Sequence, residues 1–135
     1  SLLKQQLDDH HIEIIQTVNE PLPKVQVVAN QIQQVFINIL LNAMDAMPEG
    51  GKITITLQSG QDFLEILFQD NGPGVPPELR QAIFEPFTST KEKGTGLGLS
   101  VSYGIISAHG GVLELVENHQ PGACFRVALP YGEVS

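Results

Sequence analysis

The stretch from Asn30 to Met47, NQIQQVFINILLNAMDAM, decides the fold because it has an apolar face and a polar one. Its apolar residues recur at i, i+3, i+4 and i+7, which predicts an amphipathic helix from about Gln31 to Met47. Asn30 is placed to cap that helix, and Pro48 with Gly50-Gly51 ends it. The apolar residues are Ile32, Val35, Phe36, Ile39, Leu40, Ala43, Met44 and Met47. We expect this stripe to pack into the core.

The polar face of the same helix carries Asn38, Asn42 and Asp45, at i, i+4 and i+7. Asparagine is a mediocre residue inside a helix, because its side chain competes for backbone hydrogen bonds. Taken alone, the face is compatible with simple solvation or with a binding role.

Around this helix, strands and helices interleave. Alternating apolar residues predict strands at 12–18, 24–28, 52–57, 63–69, 112–117 and 124–129. A second helix is predicted from about Leu97 to His109, and Leu2, Leu3 and Leu7 suggest the tail of a longer helix. Adjacent hairpins predict an α+β fold, a two-layer α/β sandwich with one mostly antiparallel mixed sheet packed on helices.

Composition excludes several classes of protein. The 135 residues are typical of one domain, and the net charge of −8 without a Lys/Arg cluster argues against nucleic-acid binding. No apolar run approaches the roughly 18 residues of a membrane span, and no signal peptide is visible. The single cysteine, Cys124, excludes an internal disulfide and is predicted to be a small buried residue.

The stretch DNGPGV, residues 70–75, ends a predicted strand with an acid and two glycines. One reading is a turn capped by Asp70 before Asn71-Gly72. The other is a binding site, where Gly72 and Gly74 let the chain pass close to a flat ligand.

The stretch KGTGLGLS, residues 93–100, places Gly94, Gly96 and Gly98 directly before the second helix. Bare backbone N–H groups at a helix N-terminus suit a phosphate. The spacing matches neither a P-loop nor a dinucleotide fingerprint, and by itself it is equally compatible with a flexible loop.

Together, NILLNAMDAM (38–47), DNGPGV, FEPF (84–87) and GTGLGL (94–99) resemble the N, G1, F and G2 boxes of one family, in the same order. That family is the ATP-binding catalytic domain of bacterial sensor histidine kinases, whose superfamily includes gyrase and the MutL mismatch-repair proteins. The resemblance covers nearly the whole chain. It implies a Bergerat-type fold, with residues 1–135 as one catalytic domain and a nucleotide lid at about 75–95.

The resemblance also implies roles for single residues, with ATP and Mg²⁺ as cofactors. Asp70 would accept a hydrogen bond from the adenine amine, whereas guanine presents a carbonyl there. Asn42 would be the Mg²⁺ ligand, and Asn38 and Lys91 the catalytic residues. Asp45 would face the ribose or α-phosphate, or be merely an exposed acid. The implied nucleotide contacts are Asn38, Asn42, Asp45, Asp70, Gly72, Gly74, Lys91, Gly94, Thr95, Gly96, Leu97, Gly98 and Leu99. Phe84 and Phe87 would pack at the base of the lid.

Two features depart from the family pattern. The stretch Gly122-Ala123-Cys124-Phe125 lacks the hydroxyl residue that often stands near the adenine-binding acid. None of the histidines at 10, 11, 109 and 119 lies in a phosphoacceptor motif, so we expect the histidine-bearing dimerisation domain upstream of Ser1. His109 instead ends a helix, where a cation suits the helix dipole.

The implied function is that of a protein-histidine kinase in two-component signal transduction. The domain would bind Mg-ATP and transfer the γ-phosphoryl to a histidine, which would pass it to a response-regulator receiver domain. We expect a cytoplasmic, monomeric fragment that is nearly inactive alone and contacts neither nucleic acid nor membrane, whether or not the full-length protein is membrane-anchored. The alternatives are an ATP-hydrolysing conformational switch and a degenerate nucleotide-binding regulator.

Overall fold

The computed structural model describes residues 2–20, 22, 24–75, 98–116 and 122–131. In chain order the elements are α1 (Leu2–Asp9), β1 (Ile12–Val18), α2 (Ala29–Ala46), β2 (Gly51–Ser59), β3 (Phe63–Asp70), α3 (Gly98–Ala108), β4 (Val112–Val116) and β5 (Cys124–Pro130). None of the helices in these ranges is both long enough and apolar enough to cross a membrane.

The described strands form one sheet in the order β1-β2-β3-β5-β4. β1 pairs with β2 in parallel, and the other neighbours are antiparallel. This confirms the predicted α+β sandwich with a mostly antiparallel mixed sheet. The arrangement also puts the end of β3 beside the start of β5, where Gln69 pairs with Cys124.

The apolar stripe of α2 forms the centre of the core, as predicted. All its members belong to the core or pack against it. Each of them is buried except Phe36, which is half-buried. Phe36 meets Phe68 of β3 with ring centroids 5.4 Å apart and planes tilted by 58°. Such tilted aromatic pairs contribute about 0.5–1.5 kcal/mol beyond the area they bury.

The beginning of α2 corrects two predictions. Its N-cap is Val28, without a side-chain cap, so Asn30 lies inside the first turn and the predicted capping role is wrong. Residues 24–28 form no strand, so that prediction is also wrong. The physical reason is a long-range bond: the backbone N–H of Val28 donates to Nε2 of His109, at 3.0 Å.

His109 therefore joins the C-terminal end of α3 to the start of α2. Its Nδ1 lies 2.8 Å from the carbonyl oxygen of Ile105, so Nδ1–H donates while Nε2 accepts from Val28. These two bonds occupy both ring nitrogens of His109 at this helix end.

Three charged side chains form ion pairs across the face of the sheet opposite the one that packs on α2. Arg126 of β5 contacts Glu65 of β3 and Glu114 of β4, each at 2.7 Å. The hydrogen bond from Arg126 lowers the pKa of Glu65, against an opposing effect of burial. The stabilisation from this shift is present above the ordinary pKa of about 4.5 and is lost as the pH falls through the lowered pKa. Partly exposed pairs of this kind contribute little at neutral pH.

The imidazole of His109 generates the first prediction. His109→Ala should lower the free energy of unfolding by about 1 kcal/mol, because the Val28 N–H loses its protein acceptor. His10→Ala is the matched control, since Nδ1 of His10 contacts the carbonyl of Gln6, four residues back on the exposed surface. Urea denaturation of both variants measures the difference, and equal losses would contradict the role of His109.

Candidate functional site

Asp70, the last residue of β3, is a carboxylate held inside the protein. It is 5% exposed, and its Oδ1 accepts hydrogen bonds from the backbone N–H groups of Gly72 and Ala123, each at 3.0 Å. The bond to Gly72 is the turn cap of the first reading, so Asp70 does cap the turn. Within the part of the chain that the structure describes, Oδ2 receives no hydrogen bond. The carboxylate is therefore fixed in place with one oxygen left for an outside donor.

The support for Asp70 includes Gly122, to which the sequence analysis assigned no role of its own. Gly122 has φ +99°, and a Cβ there would overlap the backbone oxygen of Asp70 and lie 2.7 Å from its Oδ1. Only glycine fits this close approach. Residues 122–125 contain no hydroxyl side chain, and it is the backbone N–H of Ala123 that donates a hydrogen bond to Asp70. The only sequence signal for this contact was the Pro121-Gly122 pair.

The two glycines after Asp70 pack closely against different parts of the protein. A Cβ on Gly72 would stand 2.9 Å from Cγ of Met47, so the loop packs tightly on the end of α2. Gly74 has φ +81°, and a Cβ there would lie 3.2 Å from the carbonyl oxygen of Gly122. The structure thus brings the loop after β3, the end of α2 and the start of β5 together.

The polar face of α2 makes contact with α3. Nδ2 of Asn38 donates to Oγ of Ser102 at 3.0 Å, and Nε2 of Gln34 donates to Oδ1 of Asn38 at 2.8 Å. Asn42, one turn later, is half-buried, whereas Asp45 is exposed. Sequence reasoning singled out Asn38 but missed Ser102, because a lone serine in a helix carries no signal. Both readings of Asp45 stay open.

The predicted phosphate-binding segment is described only at its end. Gly98 begins α3, and Leu99 packs against the core. The remaining predicted residues, Phe84, Phe87, Lys91, Gly94, Thr95, Gly96 and Leu97, lie outside the described residues, as does the predicted lid beyond Val75.

Metal binding in the described part of the chain depends on donors other than a cluster of acidic side chains. In the described ranges, no group of three or more His, Cys, Asp and Glu side chains could hold one. The amide oxygen of Asn42 is a hard ligand of the kind that Mg²⁺ accepts, and this ion commonly completes its shell with water and phosphate oxygens. The residues present therefore fit a Mg²⁺ ion that arrives with a phosphate ligand.

Cys124 lies beside this site without being reactive. Burial raises the pKa of its thiol, and the negative charge of Asp70 raises it further. The thiol is therefore protonated near neutral pH, which confirms the prediction of a small buried residue.

The sequence of this chain is similar to those of several known proteins. Residues 27–133 match the model of a family described as histidine kinase-, DNA gyrase B-, and HSP90-like ATPase. Sporulation kinase E of Bacillus subtilis is 38% identical over 130 residues, which are 96% of this chain and 18% of that protein. The sensor histidine kinase ZraS of Salmonella typhi is 37% identical over 131 residues, or 96% of this chain and 28% of that protein. The chain thus spans less than a third of the length of these relatives.

Solved structures agree with these sequence relatives. The nucleotide-free catalytic domain of the histidine kinase ThkA superposes with a TM-score of 0.87 at 34% identity, covering 97% of this chain and 86% of that one. Full-length ShkA, solved in complex with AMPPNP, gives a TM-score of 0.85 at 29% identity, covering 99% of this chain and 28% of that one.

The close approach at Gly122 generates a prediction about stability. Gly122→Ala should lower the free energy of unfolding by about 2–3 kcal/mol, because the added Cβ meets Asp70 at a positive φ. Gly104→Ala is the control, since no atom outside its own helix lies within 4 Å of a Cβ there. That change should stabilise α3 by about 0.5–1 kcal/mol. If thermal unfolding shows that Gly122→Ala is as stable as the unmodified chain, the contact does not constrain Asp70.

Proposed function

Because this chain belongs to the histidine kinase-, DNA gyrase B-, and HSP90-like ATPases, as the catalytic domain of a sensor histidine kinase, we propose that it binds Mg-ATP and transfers the γ-phosphoryl group to a histidine. The observation that carries the proposal is the buried carboxylate of Asp70, whose Oδ1 is hydrogen-bonded and whose Oδ2 receives no hydrogen bond from the described residues. The histidine would belong to a separate dimerisation domain of the same kinase.

In this proposal, Asp70 selects adenine over guanine. Its Oδ2 accepts a hydrogen bond from the exocyclic amine of adenine, and Oδ1 stays anchored to Gly72 and Ala123. Guanine presents a carbonyl oxygen at the equivalent position, so two acceptors would face each other. An unpaired buried polar group of this kind costs about 1–3 kcal/mol. Gly72 and Gly74 let the loop after β3 pack closely against Met47 and Gly122 beside this carboxylate.

We assign the phosphates of ATP to the surface formed by α2 and α3. Mg²⁺, when bound through Asn42 and phosphate oxygens, neutralises charge on the phosphoryl groups. The positive end of the α3 dipole offers a further attraction for anions at Gly98. Lys91 and the segment Gly94–Leu97 are proposed as additional phosphate contacts from their place in the motif.

Asn38 favours phosphoryl transfer over hydrolysis. Its amide has no useful basicity near neutral pH, so it cannot deprotonate a water molecule. It can orient groups through hydrogen bonds while ATP stays intact. In the transfer, the bond between the γ-phosphorus and the β,γ-bridging oxygen breaks, a phosphorus–nitrogen bond to the histidine forms, and ADP leaves. An ATP-hydrolysing conformational switch is the alternative, and the lack of a basic side chain at position 38 disfavours it.

The wider context is proposed from the same relatives. The phosphorylated histidine would pass its phosphoryl group to the aspartate of a response-regulator receiver domain. We propose that this chain works in the cytoplasm as one catalytic domain and is a monomer when separated from its dimerisation domain.

Nucleotide selectivity tests the role of Asp70. Asp70→Asn should weaken ATP binding by ~10- to 100-fold, because an amide that keeps the Oδ1 bonds presents an N–H₂ group to the adenine amine. Glu65→Gln is the control, since it removes a carboxylate from the same strand on the opposite face of the sheet. Titration calorimetry with ATP and GTP measures both effects. GTP bound as tightly as ATP would refute the assignment of Asp70.

The rate of hydrolysis separates the two candidate functions. The chain alone should hydrolyse ATP very slowly, and phosphoryl transfer should appear only when a histidine-bearing domain is supplied. Asn38→Glu should raise hydrolysis relative to transfer, because a general base typically contributes ~10²–10⁴-fold in rate. Gln33→Glu, on the exposed side of α2, makes the same chemical change away from the site. Brisk metal-dependent ATP turnover by the unmodified chain would favour the switch instead.

A further inference from the structure

Ser102 is a buried polar residue at a position where α3 otherwise packs its apolar side chains. It has no exposed surface, as is also true of Ile106 one turn later. Leu99, three residues before it, packs against the core. A hydroxyl in such a place costs stability unless it is hydrogen-bonded. Its Oγ accepts a bond from Nδ2 of Asn38 at 3.0 Å.

This bond fixes the side-chain amide of Asn38 at both ends. Nδ2 is held by Ser102 from α3, and Oδ1 is held by Gln34 from one turn earlier on α2. The amide plane therefore cannot rotate without breaking a bond. The bond to Ser102 also ties α2, which carries Asn42, to the first turns of α3, which follow the glycine cluster.

We propose that Ser102 is a positioning residue for phosphoryl transfer, which acts by holding the amide of Asn38 between α2 and α3. The proposal rests on the proposed function. Ser102 has no exposed surface, so it does not touch the nucleotide itself. The base is assigned to Asp70, which is hydrogen-bonded to Gly72 and Ala123 and not to Ser102, so loss of the Ser102 hydroxyl should change the transfer rate and leave ATP affinity nearly unchanged.

The central experiment uses Ser102→Ala in this chain, with a histidine-bearing domain supplied. We expect kcat for transfer to fall by ~10-fold and KM for ATP to change by less than about 2-fold, because misplacement of a catalytic group mainly slows the chemical step. Ser107→Ala, on the exposed side of α3, is the matched control and should transfer normally. Ser102→Thr, which keeps the hydroxyl, should restore much of the rate.

A double variant separates positioning from a structural role. If Ser102 acts through Asn38, then Ser102→Ala should slow transfer no further in a chain that already carries Asn38→Ala. The chain alone offers a second measurement, since the Asn38 side-chain amide protons should exchange faster with solvent in Ser102→Ala than in Ser107→Ala. Full additivity with Asn38→Ala, or a lowered melting temperature with unchanged kcat, would overturn the proposal. Failure of the proposed function would look different, because the unmodified chain would then transfer no phosphoryl group to the supplied histidine, whether or not it bound ATP.

Discussion

The hydrogen bonds from Gly72 and Ala123 to one oxygen of Asp70 are the interaction on which the candidate site depends. A carboxylate that is 5% exposed must be compensated by hydrogen bonds, because an unpaired buried charge is costly. Both donors are backbone groups, so they can reach the carboxylate only where the chain approaches it closely. That requirement explains Gly122, whose Cβ would overlap Asp70, and it joins the end of β3 to the start of β5.

The second constraint is that α2 serves two purposes at once. Its apolar stripe is anchored in the core, so the helix cannot shift along or rotate about its axis without losing buried contacts. The polar face is therefore presented at a fixed place, with Asn38 bonded across to Ser102. A rigid element that carries polar side chains positions them better than a loop does. The same helix ends against Gly72, which connects the polar face to the surroundings of Asp70.

Most of the fold could be predicted because its signals are local. Period-two and period-3.6 patterns depend only on which face of an element is buried, so the helices and the strands of the sheet followed from the sequence. The strand predicted at 24–28 and the cap predicted at Asn30 were wrong for a common reason. Both depended on where backbone N–H groups find partners, and Val28 finds its partner in His109, 81 residues later in the chain.

The sequence by itself determined the apolar face of α2, the polar residues beside it, the acid at the end of β3 and the glycines that follow. These are properties of residue type and spacing. The tertiary structure decided which oxygen of Asp70 is anchored, that Gly122 must lack a side chain and that Ser102 holds Asn38. Each of these depends on contacts between residues more than 50 positions apart, such as the 53 from Asp70 to Ala123 and the 64 from Asn38 to Ser102. Local pattern carries no information about such pairs, because the packing of the sheet and helices alone brings them together.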